Sequence, residues 1–375
     1  MFSLKEASAV AREPEIAAAM DAVDRYLLSA SGPERFRHAQ NAADGTGDAT
    51  AYRGLADLGL TTAMVSESRG GSGLPPGVAV LVGERLGWSL AREPFVENVV
   101  FPSTLLQALG APAPAQGEIV CVAWQEGPFA LPDAGTIHTK STVEGAGFRI
   151  QGTKAFVMGA RASTRMLVLA SMDGEPAVIS VASAGVPRKD KWLADGTCWS
   201  DVEFDVVVDR NAVLAKGDIC LRALTFALDL SNLAIAGVLH GLQSRILAMT
   251  LEYLGTREQF DKPLGAFQAL QHRAVDLYTH AQIARFLLGE AVDALGSGVP
   301  ARTLAAYASR AKARTVDTAS RIAKEGIQMH GAIGFSDEYD LGLYVKRILV
   351  LSAWLGGAVW HRRRYAALDA PDVSG

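Results

Sequence analysis

The apolar period changes twice along these 375 residues, and that double change constrains the fold more than any single motif. In residues 1–115 the period is helical. Ile16, Met20, Val23 and Leu27 step by four, three and four, which lines up one face of a helix. The run RGGSGLPPG (69–77) is a loop, and Pro75–Pro76 can open the helix after it. In residues 116–216 the period falls to two. Val202, Phe204 and Val206 alternate with Asp201, Glu203 and Asp205, the pattern of a half-buried strand. LVLASMDGEPAVISVAS holds two apolar runs joined through Asp173–Gly174, a hairpin signal, and VEGAGFRIQG reads as a further turn and strand.

In residues 217–375 the helical period returns. Leu221, Leu224, Leu228, Ile235, Leu239, Leu242, Ile246, Met249 and Tyr253 trace one stripe, with Ser231 filling the skipped step. Leu341, Val345, Ile348, Ser352, Leu355 and Val359 then alternate four and three, and two more helical segments lie near 266–294 and 300–328. Long helices with short links predict an antiparallel four-helix bundle. The expected fold is α+β and multidomain: an N-terminal helical domain, a middle β-barrel-like domain and the C-terminal bundle.

Composition excludes some functions. A net charge of −4 with 20% charged residues makes no strong field, so no nucleic-acid partner is expected. Cys121, Cys198 and Cys220 lack metal or disulfide spacing and read as buried thiols in a reducing compartment. MFSLKEASAVAREPE carries acids early and lacks a long apolar core, so no signal peptide is expected. The most apolar run, ILVLSAWLGGAVW (348–360), is about 13 residues against the ~20 of a membrane span. No membrane partner is expected, and the location is read as cytoplasmic.

One stretch, IQMHGAIGF (327–335), interrupts a helical pattern with Gly331 and Gly334. Either it is a helix stop, or a backbone is cleared so that something can lie against it.

Four stretches carry a resemblance. TREQFDKPLGAFQALQHRAVDL (256–277) and IQMHGAIGFSDEYDLGLYVKR (327–347) resemble the two signatures of the acyl-CoA dehydrogenase family. LADLGLTTAMVSESRGGSGL (55–74) is similar to its N-terminal domain, and GFRIQGTKAFVMGA (147–160) to its β domain. The resemblance covers nearly the whole chain. It implies FAD as cofactor, a coenzyme A thioester as substrate, α,β-desaturation, and electron-transferring flavoprotein as acceptor. It also implies subunits paired as dimers or tetramers, so that each FAD spans two chains.

The same resemblance assigns residues. Arg257 is placed on the diphosphate of FAD bound mainly by the neighbouring chain, where a guanidinium offers planar paired donors. Read alone, an arginine at a helix end is a cap or a solvated charge. Gln259 and Phe260 fall at positions lining the same cofactor. Gln328 and Gly331 are placed where a turn packs on the partner's FAD; Ala332 stands where a second glycine is usual. His330 reads as a structural contact. Phe156 takes the place of a tryptophan beside the flavin, and Met158 and Gly159 replace the polar pair after it. In AWQEGPFALPD (123–133), Gln125 and Glu126 fall at a threonine and a glutamate of the flavin-binding run. Pro128 there has no N–H to give.

No catalytic base is found. The family holds its glutamate at one of two positions, here Leu355 and Ser231. Neither side chain can take a proton from carbon at neutral pH. Three outcomes are open: the base-lacking subunit of a mixed complex with a second acyl-CoA dehydrogenase chain, as in steroid side-chain degradation; a homo-oligomer with an unplaced base; or a flavin-free acyl-CoA-binding scaffold.

Overall fold

The computed structural model describes residues 3–41, 46–296 and 300–369. Helices α1 (Pro14–Ala30), α2 (Pro33–Asn41), α3 (Thr46–Asp57), α4 (Val78–Trp88) and α5 (Phe101–Ala108) come first. Strands β1 (Val120–Ala123), β2 (Lys140–Glu144), β3 (Gly147–Met158), β4 (Arg165–Met172), β5 (Glu175–Ala182), β6 (Arg188–Trp192), β7 (Cys198–Asp209) and β8 (Val213–Lys216) follow. Next come α6 (Asp218–Thr256), a hairpin of β9 (Glu258–Gln259) and β10 (Lys262–Pro263), α7 (Gln268–Gly296), α8 (Ala301–His330), α9 (Leu341–Ala353) and α10 (Ala358–Asp369). The fold is α+β, with a helical start, a middle sheet and a helical C-terminal part. Two compact units form out of chain order: Met1–His38, Pro75–Arg92 and Asn232–Gly375 make one, Ala39–Leu74 and Glu93–Ser231 the other.

The second unit holds the sheet, ordered β6-β7-β3-β2-β4-β5-β8, with β1 parallel to β4. Strands β3, β4, β5 and β7 turn apolar residues inward, so Ile150, Met166, Val168, Ile179, Val202 and Phe204 close into a common core. The Asp173–Gly174 hairpin forms as its sequence requires: Met172 pairs Glu175, and both turn residues have positive φ. Cys121 and Cys220 are buried, whereas Cys198 is half-exposed.

In the first unit α1 buries Ile16, Met20, Val23 and Leu27. Helices α4 and α6 touch backbone to backbone. A Cβ at Gly237 would lie 2.3 Å from the carbonyl oxygen of Val80, and one at Gly87 only 2.0 Å from that of Val238. The single stripe expected of α6 is too narrow, because its residues 232–243 are buried on every side. Among the described residues α6 is also the one unbroken helix long and apolar enough to cross a membrane; most of that window is buried inside the protein, as in a core helix.

The stripe through Leu341 and Val359 does not belong to one helix. Helix α9 stops at Ala353, Leu355 and Gly356 take φ of +54° and +96°, and Val359 is exposed on α10. The break has a cause in α8. The Nζ of fully buried Lys312 donates to the carbonyls of Leu351 and Trp354, at 3.0 and 2.9 Å, and caps the helix end.

Candidate functional site

At the end of the first unit, the imidazole of His330 stacks on Tyr253 with ring centroids 4.5 Å apart. Its Nδ1 lies 2.7 Å from the carbonyl of Gly326, so Nδ1 carries the proton and Nε2 accepts the Tyr339 hydroxyl at 3.0 Å. Burial lowers the pKa of this histidine, which keeps it neutral. His330 is thus a structural joint between the C-terminal ends of α6 and α8.

That joint brings Arg257, Gln259 and Phe260 to the same end as Gln328, Gly331 and Ala332, and all six are exposed. The β9–β10 hairpin turns on Phe260 and Asp261, with φ of +56° and +62°. Two positive φ values make a type I′ turn, which favours Asn-Gly. A phenylalanine there is strained, yet its ring is 85% exposed. Arg257 has no ion-pair partner among the described residues, so its guanidinium is available. Its backbone is fixed at both groups: its N–H donates to Tyr253 and its carbonyl accepts from Leu264, each at 2.8 Å.

The two glycines of IQMHGAIGF serve different ends. A Cβ at Gly334 would lie 2.8 Å from the Ile327 carbonyl, so that glycine is required by packing. Gly331 has φ +65°, and a Cβ there would meet nothing within 4 Å. Its backbone needs glycine, and its outer side is open. Ala332 puts an exposed methyl beside it.

In the second unit, Phe156 sits where β3 slips register against β7 between Lys154 and Val157. Its φ is +58°, and its ring meets Trp199 edge-on at 4.8 Å. The Ala155 N–H donates to the Gln125 carbonyl at 2.8 Å, which ties this bulge to the loop after β1. The Gln125 side chain is turned inward on its own loop, donating to the Gly127 carbonyl at 2.6 Å. Glu126 accepts from the N–H groups of His138 and Thr139 at 2.7 and 2.9 Å and pairs with buried Lys154 at 2.5 Å. Burial alone would raise the Glu126 pKa; the bonds from Lys154 and Thr139 outweigh it and hold the carboxyl at about 2. Burial takes Lys154 down to about 8 against the pull of Glu126. The loop encloses a groove of about 240 Å³ walled by Trp124, Pro128, Leu131, Pro132 and Ile137.

The two positions at which the resemblance places a base hold no acid. Ser231 is fully buried, and its hydroxyl donates to the Ala227 carbonyl at 2.7 Å, a bond within the helix. Leu355 is 3% exposed, in the left-handed conformation. Asp229 is also buried, whereas Glu252 is exposed.

Sequence reading missed Tyr253, Trp199, Lys154 and Lys312 as site residues. Parity could have found Lys154, which shares the inward face of β3 with Ile150. Lys312 lies on the buried stripe of α8 with Ala308, Thr315 and Ala319.

A dinucleotide cofactor fits these two places differently. The α6–α8 end offers a cation without a counter-charge, an open glycine backbone and an exposed aromatic ring. The β-module loop offers a proline without an N–H, a glutamine amide already engaged, and a carboxylate fully occupied by its own chain.

The chain is similar to known proteins over both its helical and its β segments. The model of the acyl-CoA dehydrogenase C-terminal domain matches residues 221–367. Acyl-CoA dehydrogenase FadE27 of Mycobacterium tuberculosis is 30% identical over 340 residues, covering 84% of this chain and 87% of that one. The ChsE4–ChsE5 complex of the same organism matches with TM-score 0.81 and 26% identity, over 97% of this chain and 98% of that one. A variant of the Tcur3481–Tcur3483 steroid acyl-CoA dehydrogenase matches with TM-score 0.80 and 26% identity, over 94% of this chain and 97% of that one. With the helices that carry the two signature turns joined ring on ring and the likeness sustained over most of the chain, this protein belongs to the acyl-CoA dehydrogenase family of FAD-dependent oxidoreductases.

Proposed function

We propose that this chain is the subunit without a catalytic carboxylate in a mixed acyl-CoA dehydrogenase, and that it completes an FAD site held mainly by its partner. One contrast carries the reading. Arg257, Gln259, Phe260, Gln328 and Gly331 stand exposed and unengaged by charge, whereas both positions for a base hold a hydrocarbon and a hydroxyl. Abstracting the α-proton of a thioester needs a carboxylate in a dry site with its pKa raised toward neutrality. Leu355 and Ser231 cannot supply one.

In this reading the Arg257 guanidinium holds a diphosphate, the Gly331 backbone lets the cofactor approach, and the Phe260 ring keeps water from it. Ala332 lines the approach with its methyl, and Gln259 and Gln328 offer amides. Phe156, packed on Trp199, and Gln125, whose carbonyl takes the Ala155 N–H, stand on the β-module where the chain's own flavin contacts are expected. FAD, when bound, supplies the hydride acceptor. The relatives that match over most of the chain include paired chains and a steroid enzyme, so the substrate is read as an acyl-CoA thioester of steroid side-chain type. Electron-transferring flavoprotein is the expected acceptor, in the cytoplasm.

The test is a flavin spectrum and an FAD count per chain. The chain is purified alone and co-expressed with its genomic neighbour. The reading expects no yellow colour alone and one FAD per pair of unlike chains. A solitary chain that is yellow and desaturates a thioester overturns it in favour of a homo-oligomer. No flavin in either preparation favours the scaffold.

A further inference from the structure

Helices α7 and α8 are tied to each other by a ladder of side chains, and its middle rung lacks an anion. At one end Arg273 of α7 donates from Nε to Glu325 of α8 at 2.9 Å. At the other end Arg310 of α8 donates to Glu290 of α7 at 2.8 Å. Halfway along, His280 of α7 stands between two guanidiniums of α8. Its Nδ1 is 2.9 Å from Nη2 of Arg314, and its Nε2 is 2.8 Å from Nη1 of Arg321. The outer rungs join opposite charges, whereas the middle one sets donors against a base that cannot serve both.

A neutral imidazole accepts at one ring nitrogen only, and a protonated one at neither. Two guanidinium donors therefore compete for one acceptor, whichever tautomer forms. The Nε of Arg314 is buried and has no partner either. Nearby carboxylates do not make up the deficit. Glu325 and Glu290 belong to the outer rungs, and Asp317, one turn from both Arg314 and Arg321, is held by Arg362 at 2.5 Å. Asp276, one turn before His280, acts on the ring through space. Burial and the charges of Arg321 and Arg314 outweigh it and lower the histidine pKa.

The rung faces outward. Arg321 is exposed, His280 and Arg314 are half-buried, and Ile283 and Phe286 stand exposed on the next turns of α7. Arginine beside exposed apolar and aromatic side chains is the composition of a protein interface. Arg314, Arg321 and Gln328 are seven residues apart, so they share one face of α8, about 10 Å from one to the next. That face ends at the turn which, in the subunit reading, meets the partner's cofactor.

Resting on that reading, we propose that the middle rung is a docking site for a carboxylate side chain of the unlike partner subunit, which enters between Arg314 and Arg321 and takes both guanidiniums from His280. A carboxylate has two oxygens and can accept from both arginines at once. Occupied, the rung matches its two neighbours in charge.

The test has two arms. In the isolated full chain, His280 is titrated by NMR in malonate and in chloride at equal ionic strength. Malonate seated in the rung should raise the proton affinity of His280 at least tenfold, and Arg314→Gln with Arg321→Gln should abolish the difference between the salts. Equal titrations of the wild type in the two salts overturn the site. That arm needs neither FAD nor a partner, so its failure is separable from failure of the subunit role. In the complex with the genomic neighbour, the same double variant should weaken association at least tenfold at low salt and flatten its salt dependence, read by sedimentation. His280→Ala should leave association as tight or tighten it, because the ring competes for the same guanidiniums; a ring that only spaces the helices would make that variant weaker. Unchanged association in the double variant overturns the partner carboxylate even where malonate binds. Absence of any complex with the neighbour overturns the occupant together with the subunit role. A chain that pairs with itself, and loses that pairing in the double variant, overturns the unlike partner in favour of a second copy.

Discussion

The rings of His330 and Tyr253 lie 4.5 Å apart and 26° from parallel, and this contact joins the ends of the two helices that carry the signature turns. His330→Ala removes the stack and both ring hydrogen bonds. A loss of about 2–4 kcal/mol is expected, as for other large-to-small buried changes. The pH dependence has a defined sign. Burial lowers the folded pKa of His330 below 6.5, so on acidification the unfolded chain takes up a proton that the folded chain refuses. Stability is full above 6.5 and falls as the pH drops below it. Urea melts at about pH 7.5 and about pH 5.5 should show a smaller fall in the variant than in the wild type.

The Lys154–Glu126 pair makes an asymmetric prediction. Glu126→Gln leaves a fully buried ammonium without its counter-charge, which costs about 3–5 kcal/mol. It also weakens the hold on the His138 and Thr139 N–H groups, so the loop after β1 should become sensitive to protease. Adding Lys154→Met removes the stranded charge and should recover stability. The double variant proving no more stable than Glu126→Gln would show that the backbone contacts dominate.

Glu84 lies in the first unit at the edge of a cavity of about 300 Å³. It accepts from the Leu4 N–H at 2.6 Å and pairs with Arg85, and His240 Nε2 stands 3.8 Å away. Burial outweighs the Arg85 charge and the Leu4 bond and raises its pKa from 4.5 to about 7. The folded chain therefore holds this proton longer than the unfolded chain does. Stability from this group is full below about 4.5 and is lost as the pH rises toward 7. Glu84→Gln should gain about 1–3 kcal/mol on the wild type between about pH 5 and about pH 8. Thermal melts at the two pH values with equal differences would remove Glu84 as the source.

Local signals made much of this fold legible. Alternation in β7, the Asp173–Gly174 turn and the spacing of Ile16 through Leu27 each need only neighbours in sequence. What was hidden depends on distant partners. The α9 break at residue 354 is sealed by a lysine about 40 residues earlier in α8, and no periodicity shows that. Phe156, Phe260 and Leu355 carry ordinary side chains on left-handed backbone, which sequence propensity reads as helix or strand. The motif residues at 257–260 and 328–332 were legible as sets. That the two sets share one place came only through the resemblance, because in the fold it hangs on the Tyr253–His330 contact.

The hairpin tip offers a test that separates stability from function. Phe260 and Asp261 hold a type I′ turn although neither is the residue that turn prefers. The Phe260 ring is almost wholly exposed, touching Phe267 only at its edge with centroids 6.2 Å apart, so it adds little to folding. Replacing both residues, Phe260→Asn with Asp261→Gly, relieves the left-handed strain and should stabilise the hairpin by about 1 kcal/mol. If the ring is kept for a cofactor shared with a partner, the same variant should lower FAD occupancy of the assembled complex. Arg257→Ala is the companion change. It removes an exposed cation with no ion-pair partner among the described residues, so stability should move by less than about 0.5 kcal/mol while occupancy falls. The two variants approach the cofactor by different physics, an apolar plane and a charge. Only the arginine effect should weaken further as salt is raised. A hairpin variant that is more stable and still binds FAD fully would leave the strain at residue 260 without a functional reason.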